Sequence, residues 1–274
     1  MSPIVSNSAA GLSYLARPGR GTPVVLLHGI GSRARSFLPL IEALDPRFSV
    51  VAWDAPGYGD SPPLAVEAPD ASDYAAMLNR LLAELDISRC ILIGHSLGAL
   101  IAARLAVVST NRVATLALLS PALGYGADRT GPLPASVAAR LDELDRLGAA
   151  AFAAKRAPGL LADPVGRPDV LQQVESAMAE VRRPGYDQAA RMLASGRLLK
   201  DAKQVAVPTA VWVGTQDRIT PPANARQVFE SLPPPARRAY AEIPDAGHAA
   251  CQERPAEVAC AILSLEDNKA SLNA

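Results

Sequence analysis

The sequence contains few aromatic residues and few cysteines. Aromatic residues make up only 4% of the 274 residues, so we expect a pocket lined mainly by aliphatic side chains. The three cysteines, Cys90, Cys251 and Cys260, are odd in number and too scattered for metal-ligand spacing. They predict reduced thiols in a cytoplasmic protein. We expect no metal or cofactor, because the glycine pairs at 19–21 and 29–31 lack the third glycine of a dinucleotide loop.

The chain also lacks an excess of either charge. Lys and Arg number 27, as do Asp and Glu, so we expect no nucleic-acid or membrane partner. No apolar run approaches membrane-spanning length, and Met1–Ala16 lacks the basic and apolar regions of a signal peptide. The composition, 49% hydrophobic and 20% charged, is typical of a compact globular protein. We expect a small-molecule substrate, and a homodimer is compatible with the sequence.

Strand-like and helix-like patterns alternate along most of the chain. Strand-like runs, several of them apolar throughout, occupy 24–27, 48–53, 90–93, 113–119, 209–213 and 238–243. Residues 12–16 predict an edge strand, whereas the spacing of apolar residues at 36–44, 73–85 and 255–265 predicts helices. The alternation favours an α/β fold with a doubly wound, mostly parallel sheet.

The segment 121–204 has a different composition. It is rich in alanine, contains no strand-like run, and shows helical patterns at 136–155, 168–181 and 186–196. We interpret it as a helical cap inserted after the strand that ends near Leu119. Residues 1–120 and 205–274 would then form the core.

A serine stands between a predicted strand and a predicted helix, in Gly94-His95-Ser96-Leu97-Gly98. Gly-x-Ser-x-Gly in this context is the pattern of a nucleophile elbow, whose sharp turn exposes the serine oxygen above the sheet. The N–H of Leu97 would lie at the helix N-terminus, where it can stabilise a developing oxyanion. The pattern therefore predicts Ser96 as a catalytic nucleophile.

A serine nucleophile needs a base, and the chain has only three histidines. His28 follows the first buried strand and is expected to brace the neighbouring loop. His95 precedes the serine, so strand alternation predicts that it points away from the Ser96 side chain. His248, just after the last predicted strand, is the candidate base.

The base needs an acid, which should lie at a strand end on the same side of the sheet. Asp217 follows the strand at 209–213 and precedes His248, which gives the order Ser, Asp, His found in elbow enzymes. Asp54 and Asp245 also lie in loops that follow strands and are rival candidates. Asp245 is so close to His248 that a turn-stabilising role is favoured for it.

A second oxyanion donor is expected in the loop after the first buried strand. His28-Gly29-Ile30-Gly31 occupies that place, and the two glycines would let the loop approach the serine. The backbone N–H of Ile30 is the candidate donor.

These motifs together resemble the α/β-hydrolase fold superfamily. The resemblance covers nearly the whole chain and rests on motifs at 28–31, 53–61, 94–98, 214–217 and 247–248. It implies Ser96 as nucleophile, His248 as base and Asp217 as acid, with the Ile30 and Leu97 N–H groups as oxyanion hole. It also implies a helical cap. A serine at 96 argues against the dehalogenase and epoxide-hydrolase branches, which place aspartate there.

Two branches of this superfamily fit the chain to different degrees. One comprises hydrolases of small esters and enol-lactones in the catabolism of aromatic acids. The other comprises C–C hydrolases of meta-cleavage products, which usually carry asparagine before the nucleophile and tryptophan after the histidine. Here His95 and Ala249 occupy those places, so ester or lactone hydrolysis is the preferred interpretation. A catalytically silent binding module is the alternative from another class.

An acidic substrate would need a cationic partner in the pocket. Arg35, Arg191 and Arg197 are candidates, although for each of them taken singly an exposed, solubilising charge on a helix is the favoured interpretation. Trp53 is a further candidate for substrate contact.

Overall fold

The computed structural model describes residues 2–267, apart from the side chain of Asp267. Eight strands form one sheet: β1 Val5–Ala9, β2 Leu12–Arg17, β3 Val24–Leu27, β4 Val50–Trp53, β5 Cys90–His95, β6 Val113–Leu119, β7 Thr209–Gly214 and β8 Arg237–Ile243. Their order across the sheet is β1-β2-β4-β3-β5-β6-β7-β8. The pairs β1–β2 and β2–β4 are antiparallel and all the others are parallel.

Ten α-helices accompany the sheet in the described residues: α1 Leu38–Ala43, α2 Ala71–Glu84, α3 Leu97–Val108, α4 Ala135–Arg156, α5 Pro168–Ala179, α6 Gly185–Ser195, α7 Leu198–Ala202, α8 Pro222–Ser231, α9 Ala250–Glu253 and α10 Pro255–Asp267. Helix α2 begins where Asp70 and Asp73 form a reciprocal capping box, which saturates the first free N–H groups. The architecture confirms the predicted fold, an α/β-hydrolase fold with a mostly parallel sheet and helices inserted after the sixth strand.

The central strands are buried on both faces, and this explains their continuous apolar sequence. Alternate residues of β3 belong to different sides: Val25 and Leu27 pack into one hydrophobic cluster with α2 and α3, and Val24 and Leu26 into another with α1 and α10. All parallel strands therefore direct their carboxyl ends to the same edge of a sandwiched sheet. Open α/β sheets bind their ligands at this edge.

Helices α4 to α7 lie between β6 and β7 in sequence, and part of this insertion packs on the same cluster as α2 and α3, through Phe152, Tyr186 and Met192 among others. Gly57 (φ 85°) and Gly185 meet backbone to backbone, and a Cβ on either would come within 3.0 Å of the other's main chain. The boundaries at 120 and 205 stay a prediction.

Candidate active site

Ser96 occupies a sharp turn between β5 and α3. Its backbone is left-handed (φ 54°, ψ −114°), a strained conformation for a residue with a side chain, and its N–H donates to the Leu119 carbonyl at 3.0 Å. A Cβ on Gly94 would meet the backbone of Gly98 within 3.0 Å, and one on Gly98 would meet that of Leu27. The two glycines therefore allow the strand and helix to pass closely, as the motif predicts.

Ser96 and His248 line the same cavity, which has a volume of about 210 Å³. His248 Nδ1 lies 2.9 Å from Asp217 Oδ2, although the two residues are 31 positions apart in sequence. The carboxylate accepts a proton at this contact, so Nδ1 carries the hydrogen and Nε2 keeps its lone pair in the neutral ring. This geometry gives the imidazole a defined tautomer in the cavity that Ser96 also lines.

Asp217 is held by its own loop. Its Oδ1 accepts the N–H groups of Ile219 and Thr220, both at 2.9 Å. The Thr220 hydroxyl oxygen lies 2.9 Å from Asp217 Oδ2, 3.1 Å from His248 Nδ1 and 3.0 Å from the Ser120 carbonyl oxygen. Burial raises the pKa of the Asp217 carboxyl, but the hydrogen bond and charge of His248 and the Thr220 N–H outweigh it and lower the pKa to about 2. No pattern in the sequence singles out Thr220.

The two rival acids have other contacts. Asp54 is buried, and its oxygens accept the Ala34 N–H and the Ser13 hydroxyl, both at 2.8 Å. Asp245 is exposed and lies 3.4 Å from the Arg254 guanidinium. Among the three aspartates, the structure brings only Asp217 into contact with His248.

His28 braces its loop, as expected. Its Nε2 accepts the Ala55 N–H at 3.0 Å, so its Nδ1 carries the proton and donates to the Gly29 carbonyl at 2.8 Å. Both ring nitrogens are therefore saturated.

The expectation that His95 points away from the Ser96 site is wrong, because His95 lines the same cavity. His95 Nε2 donates to the His248 carbonyl at 2.8 Å, and the two rings lie 4.9 Å apart. His95 is the last residue of β5, where the left-handed turn at Ser96 interrupts the alternation of the strand. Burial and the neighbouring His248 lower the pKa of His95 to about 3, so its ring is neutral at pH 7.

One candidate oxyanion donor, Leu97, directly follows Ser96, and the other, Ile30, belongs to a loop that lines the same cavity. Helix α3 begins at Leu97, so the Leu97 N–H belongs to the first turn, where no helical carbonyl can accept it. Gly29 and Ile30 line the cavity, and a Cβ on Gly29 would lie 2.9 Å from the Ser96 Cβ. Glycine at 29 lets this loop approach the serine closely.

None of the four candidate substrate contacts lines the Ser96 cavity. Trp53 is fully buried in β4. Arg35 lies in an adjoining depression beside Glu42. Arg191 and Arg197 lie in two further depressions, each of which contains acidic side chains. Sequence position did not reveal which way each side chain faces once the helices pack.

Two arginines that sequence analysis did not propose, Arg140 and Arg156, do line the cavity. Both belong to α4, which Gly148 (φ 73°) interrupts. Helix α4 carries several charges of both signs, so no local signal in the sequence marked these two.

A buried carboxylate ties the His248 loop to the inserted segment. Glu253 is only 2% exposed, and its two oxygens accept the N–H groups of Gly247 and Ala162, each at 2.7 Å. The Ala249 N–H also donates to the Leu160 carbonyl at 3.0 Å. The loop that carries His248 is thus fixed to the inserted segment at Leu160 and Ala162.

Within residues 2–267, no group of three or more His, Cys, Asp or Glu side chains is arranged to hold a metal ion. No helix in this part of the chain is long and apolar enough to cross a membrane.

Comparisons with known proteins agree with this fold. The model of the alpha/beta hydrolase family matches residues 24–261. A pimeloyl-[acyl-carrier protein] methyl ester esterase from Chromobacterium violaceum is 32% identical over 239 residues, covering 84% of this chain and 89% of that protein. Two solved structures share the fold.

One of them is a thermophilic esterase from Thermogutta terrifontis, with a TM-score of 0.81 and 24% identity, covering 96% of this chain and 98% of that one. The other is the enol-lactonase from Burkholderia xenovorans LB400, with a TM-score of 0.81 and 22% identity, covering 95% and 98%. The match to the family model spans most of the sequence and includes the elbow, Asp217 and His248. The chain therefore belongs to the alpha/beta hydrolase family.

Proposed function

We propose that this protein is a serine hydrolase that cleaves a small carboxylic ester or an enol-lactone. The observation that carries the proposal is the 2.9 Å contact between His248 Nδ1 and Asp217 Oδ2, in the same cavity as an elbow serine. A neutral imidazole held in this tautomer keeps a basic Nε2, which is the group that a serine nucleophile in the same cavity needs as its proton acceptor. The relative that acts on a methyl ester supports an ester substrate.

The reaction would proceed by two acyl transfers. His248 Nε2 takes the Ser96 proton while the serine oxygen attacks the substrate carbonyl carbon. The N–H groups of Ile30 and Leu97 stabilise the negative oxygen of the tetrahedral intermediate. His248 then protonates the leaving alcohol or enol, and Asp217 stabilises the imidazolium through Nδ1. Water, activated by His248, releases the acid from Ser96 in the same way.

The cavity favours a small substrate. Its volume of about 210 Å³ lies below the usual range for ligand pockets, which is roughly 300–1,000 Å³. At ~30 Å³ per water molecule, it has the volume of about seven waters. A short acyl chain or a single lactone ring matches this space.

The test is hydrolysis of a panel of short p-nitrophenyl esters and of a dienol-ketone acid of the meta-cleavage type. We expect ester turnover by the wild type and a loss of roughly 10³- to 10⁶-fold in Ser96→Ala, with an unchanged melting temperature. Ser72→Ala, at an exposed position at the start of α2, is the control and should keep full activity.

Turnover of the dienol-ketone alone would assign C–C hydrolysis instead. Near-normal ester turnover by Ser96→Ala would refute the assignment of the nucleophile. No turnover of any substrate by a folded wild type would favour a binding module.

A further inference from the structure

The walls of the Ser96 cavity carry positive charge only. They include Arg140 and Arg156 and no aspartate or glutamate. Four other depressions in the described part of the chain each contain at least one acidic side chain. The overall charge of the chain is balanced, so this cavity is a local exception. Positive walls around a reactive serine favour a ligand of negative charge.

One of the two arginines already forms an ion pair. Arg156 lies 2.9 Å from a carboxylate oxygen of Glu143, and its guanidinium carbon is 5.2 Å from the ring centroid of Phe152. Arg156 therefore already has a carboxylate partner within α4, which it shares with Lys155.

Arg140 has no such partner. Its Nε donates to the hydroxyl of Tyr186, and its guanidinium carbon lies 5.7 Å from the centroid of that ring. Within residues 2–267 no carboxylate lies within 4.0 Å of it, and no protein acceptor meets its two terminal nitrogens. Tyr186 is fully buried and packs edge-on against Phe152, so the group that orients Arg140 is itself fixed.

The donors that remain on Arg140 have a specific chemistry. Two terminal guanidinium nitrogens in one plane match the two oxygens of a carboxylate, and such paired, charge-assisted hydrogen bonds are stronger than neutral ones. The half-enclosed cavity screens this interaction less than open solvent would. The geometry thus supplies one anion site in the cavity that Ser96 also lines.

We infer that Arg140 binds a free carboxylate of the substrate, so that the ester or lactone cleaved at Ser96 carries a second, anionic carboxyl group. The inference rests on the proposed function and specifies its substrate class. Arg140 acts in specificity and orientation, whereas bond cleavage belongs to Ser96 and His248. In a cavity of about 210 Å³, the half-ester of a short dicarboxylic acid fits the requirement.

The experiment compares anionic and neutral esters of equal chain length. The anionic set is monomethyl succinate, glutarate and adipate; the neutral set is methyl butyrate, valerate and hexanoate. We expect the wild type to prefer the best half-ester over its neutral counterpart in kcat/KM. In Arg140→Gln this ratio should fall roughly 10- to 100-fold, mainly through KM. Arg140→Lys should recover part of it.

Arg146→Gln is the matched control, because Arg146 is an exposed arginine on the same helix and lies outside the cavity lining. It should leave the ratio unchanged. An equal preference for both sets in the wild type, or an equal loss for both sets in Arg140→Gln, would overturn the inference.

A binding measurement separates this inference from the proposed function. Titration of Ser96→Ala with monomethyl glutarate by calorimetry should give heat of binding that a further Arg140→Gln change weakens by a similar 10- to 100-fold factor. If that dependence is found while no ester is turned over by the wild type, the anion site stands and the hydrolase proposal fails. If esters are turned over but Arg140→Gln leaves the affinity for monomethyl glutarate unchanged, the hydrolase proposal stands and the anion site fails.

Discussion

The molecule contains two buried pairs of aspartate and histidine at the carboxyl edge of its sheet. His28 and Asp54 follow β3 and β4, whereas Asp217 and His248 follow β7 and β8. All four side chains are almost completely buried. By residue type, burial and position at strand ends, the pairs are nearly indistinguishable.

They differ in what saturates their polar atoms. Both nitrogens of His28 bond to the backbone, and burial lowers the pKa of this histidine. His248 instead gives its Nδ1 to Asp217, and the ring borders the cavity of Ser96. A histidine at a strand end can therefore act as a base only where the backbone leaves one nitrogen free. The following experiments test this comparison.

Replacing each histidine should separate the two pairs most clearly. We expect His248→Gln to lower kcat by roughly 10³- to 10⁵-fold with a native-like melting temperature, because the base is lost. His28→Gln should mainly destabilise the fold, by about 1–3 kcal/mol, because it breaks two buried backbone contacts. Ester kinetics and urea denaturation of both variants measure this. A greater loss of kcat in folded His28→Gln would reverse the assignment.

Replacing the aspartates should distinguish the two pairs in the same way, with a smaller difference in kcat. Asp217→Asn keeps the shape of the side chain but can favour the wrong histidine tautomer, so we expect kcat to fall roughly 10³- to 10⁴-fold. Asp54→Asn should lower kcat far less and should reduce the melting temperature, since asparagine keeps only one of the two oxygens that accept from Ser13 and Ala34. If Asp54→Asn were the more damaging to kcat, Asp217 would not be the acid.

The acid sensitivity of stability should depend on a third histidine, His95. Its pKa is lowered to about 3 in the fold, below an ordinary value of about 6.5. As the pH falls below 6.5, the unfolded chain takes up this proton first, so the stabilisation present above pH 6.5 is lost as the pH approaches 3. By pH 4.5 we expect a loss of about 3 kcal/mol from this residue.

In His95→Asn the free energy of unfolding, measured by urea denaturation between pH 7 and pH 4.5, should fall less steeply as the pH is lowered. His28, whose pKa is also lowered, contributes in the same direction and should keep part of the slope. A slope identical to that of the wild type would contradict the assignment to His95.

The sequence predicted the elements whose signals lie within a short stretch of chain. The apolar runs of β3 to β7 and the Gly-x-Ser-x-Gly turn contain their own signals, and the structure has them where expected. Strand β1 was missed because Val5–Ala9 is largely exposed and has no apolar alternation. Helix α7, only five residues long, is too short to show a period.

The site was predictable only where chain order constrained it. The contact of Asp217 with His248 follows a known order of motifs, so spacing sufficed. Spacing did not identify the arginines of the cavity wall, because Arg35, Arg191 and Arg197 look no different in sequence from Arg140. Which of them faces Ser96 is decided by how the helices pack and by the break at Gly148.

The backbone contact between Gly57 and Gly185 limits how this protein can be redesigned. The segment between β6 and β7 carries the cavity arginines, so exchanging it is the obvious route to a new substrate range. Any replacement has to present a residue without a Cβ opposite Gly57, since a side chain on either partner would displace the other's main chain. A library could randomise positions 140 and 156 freely, provided that 57 and 185 stay glycine.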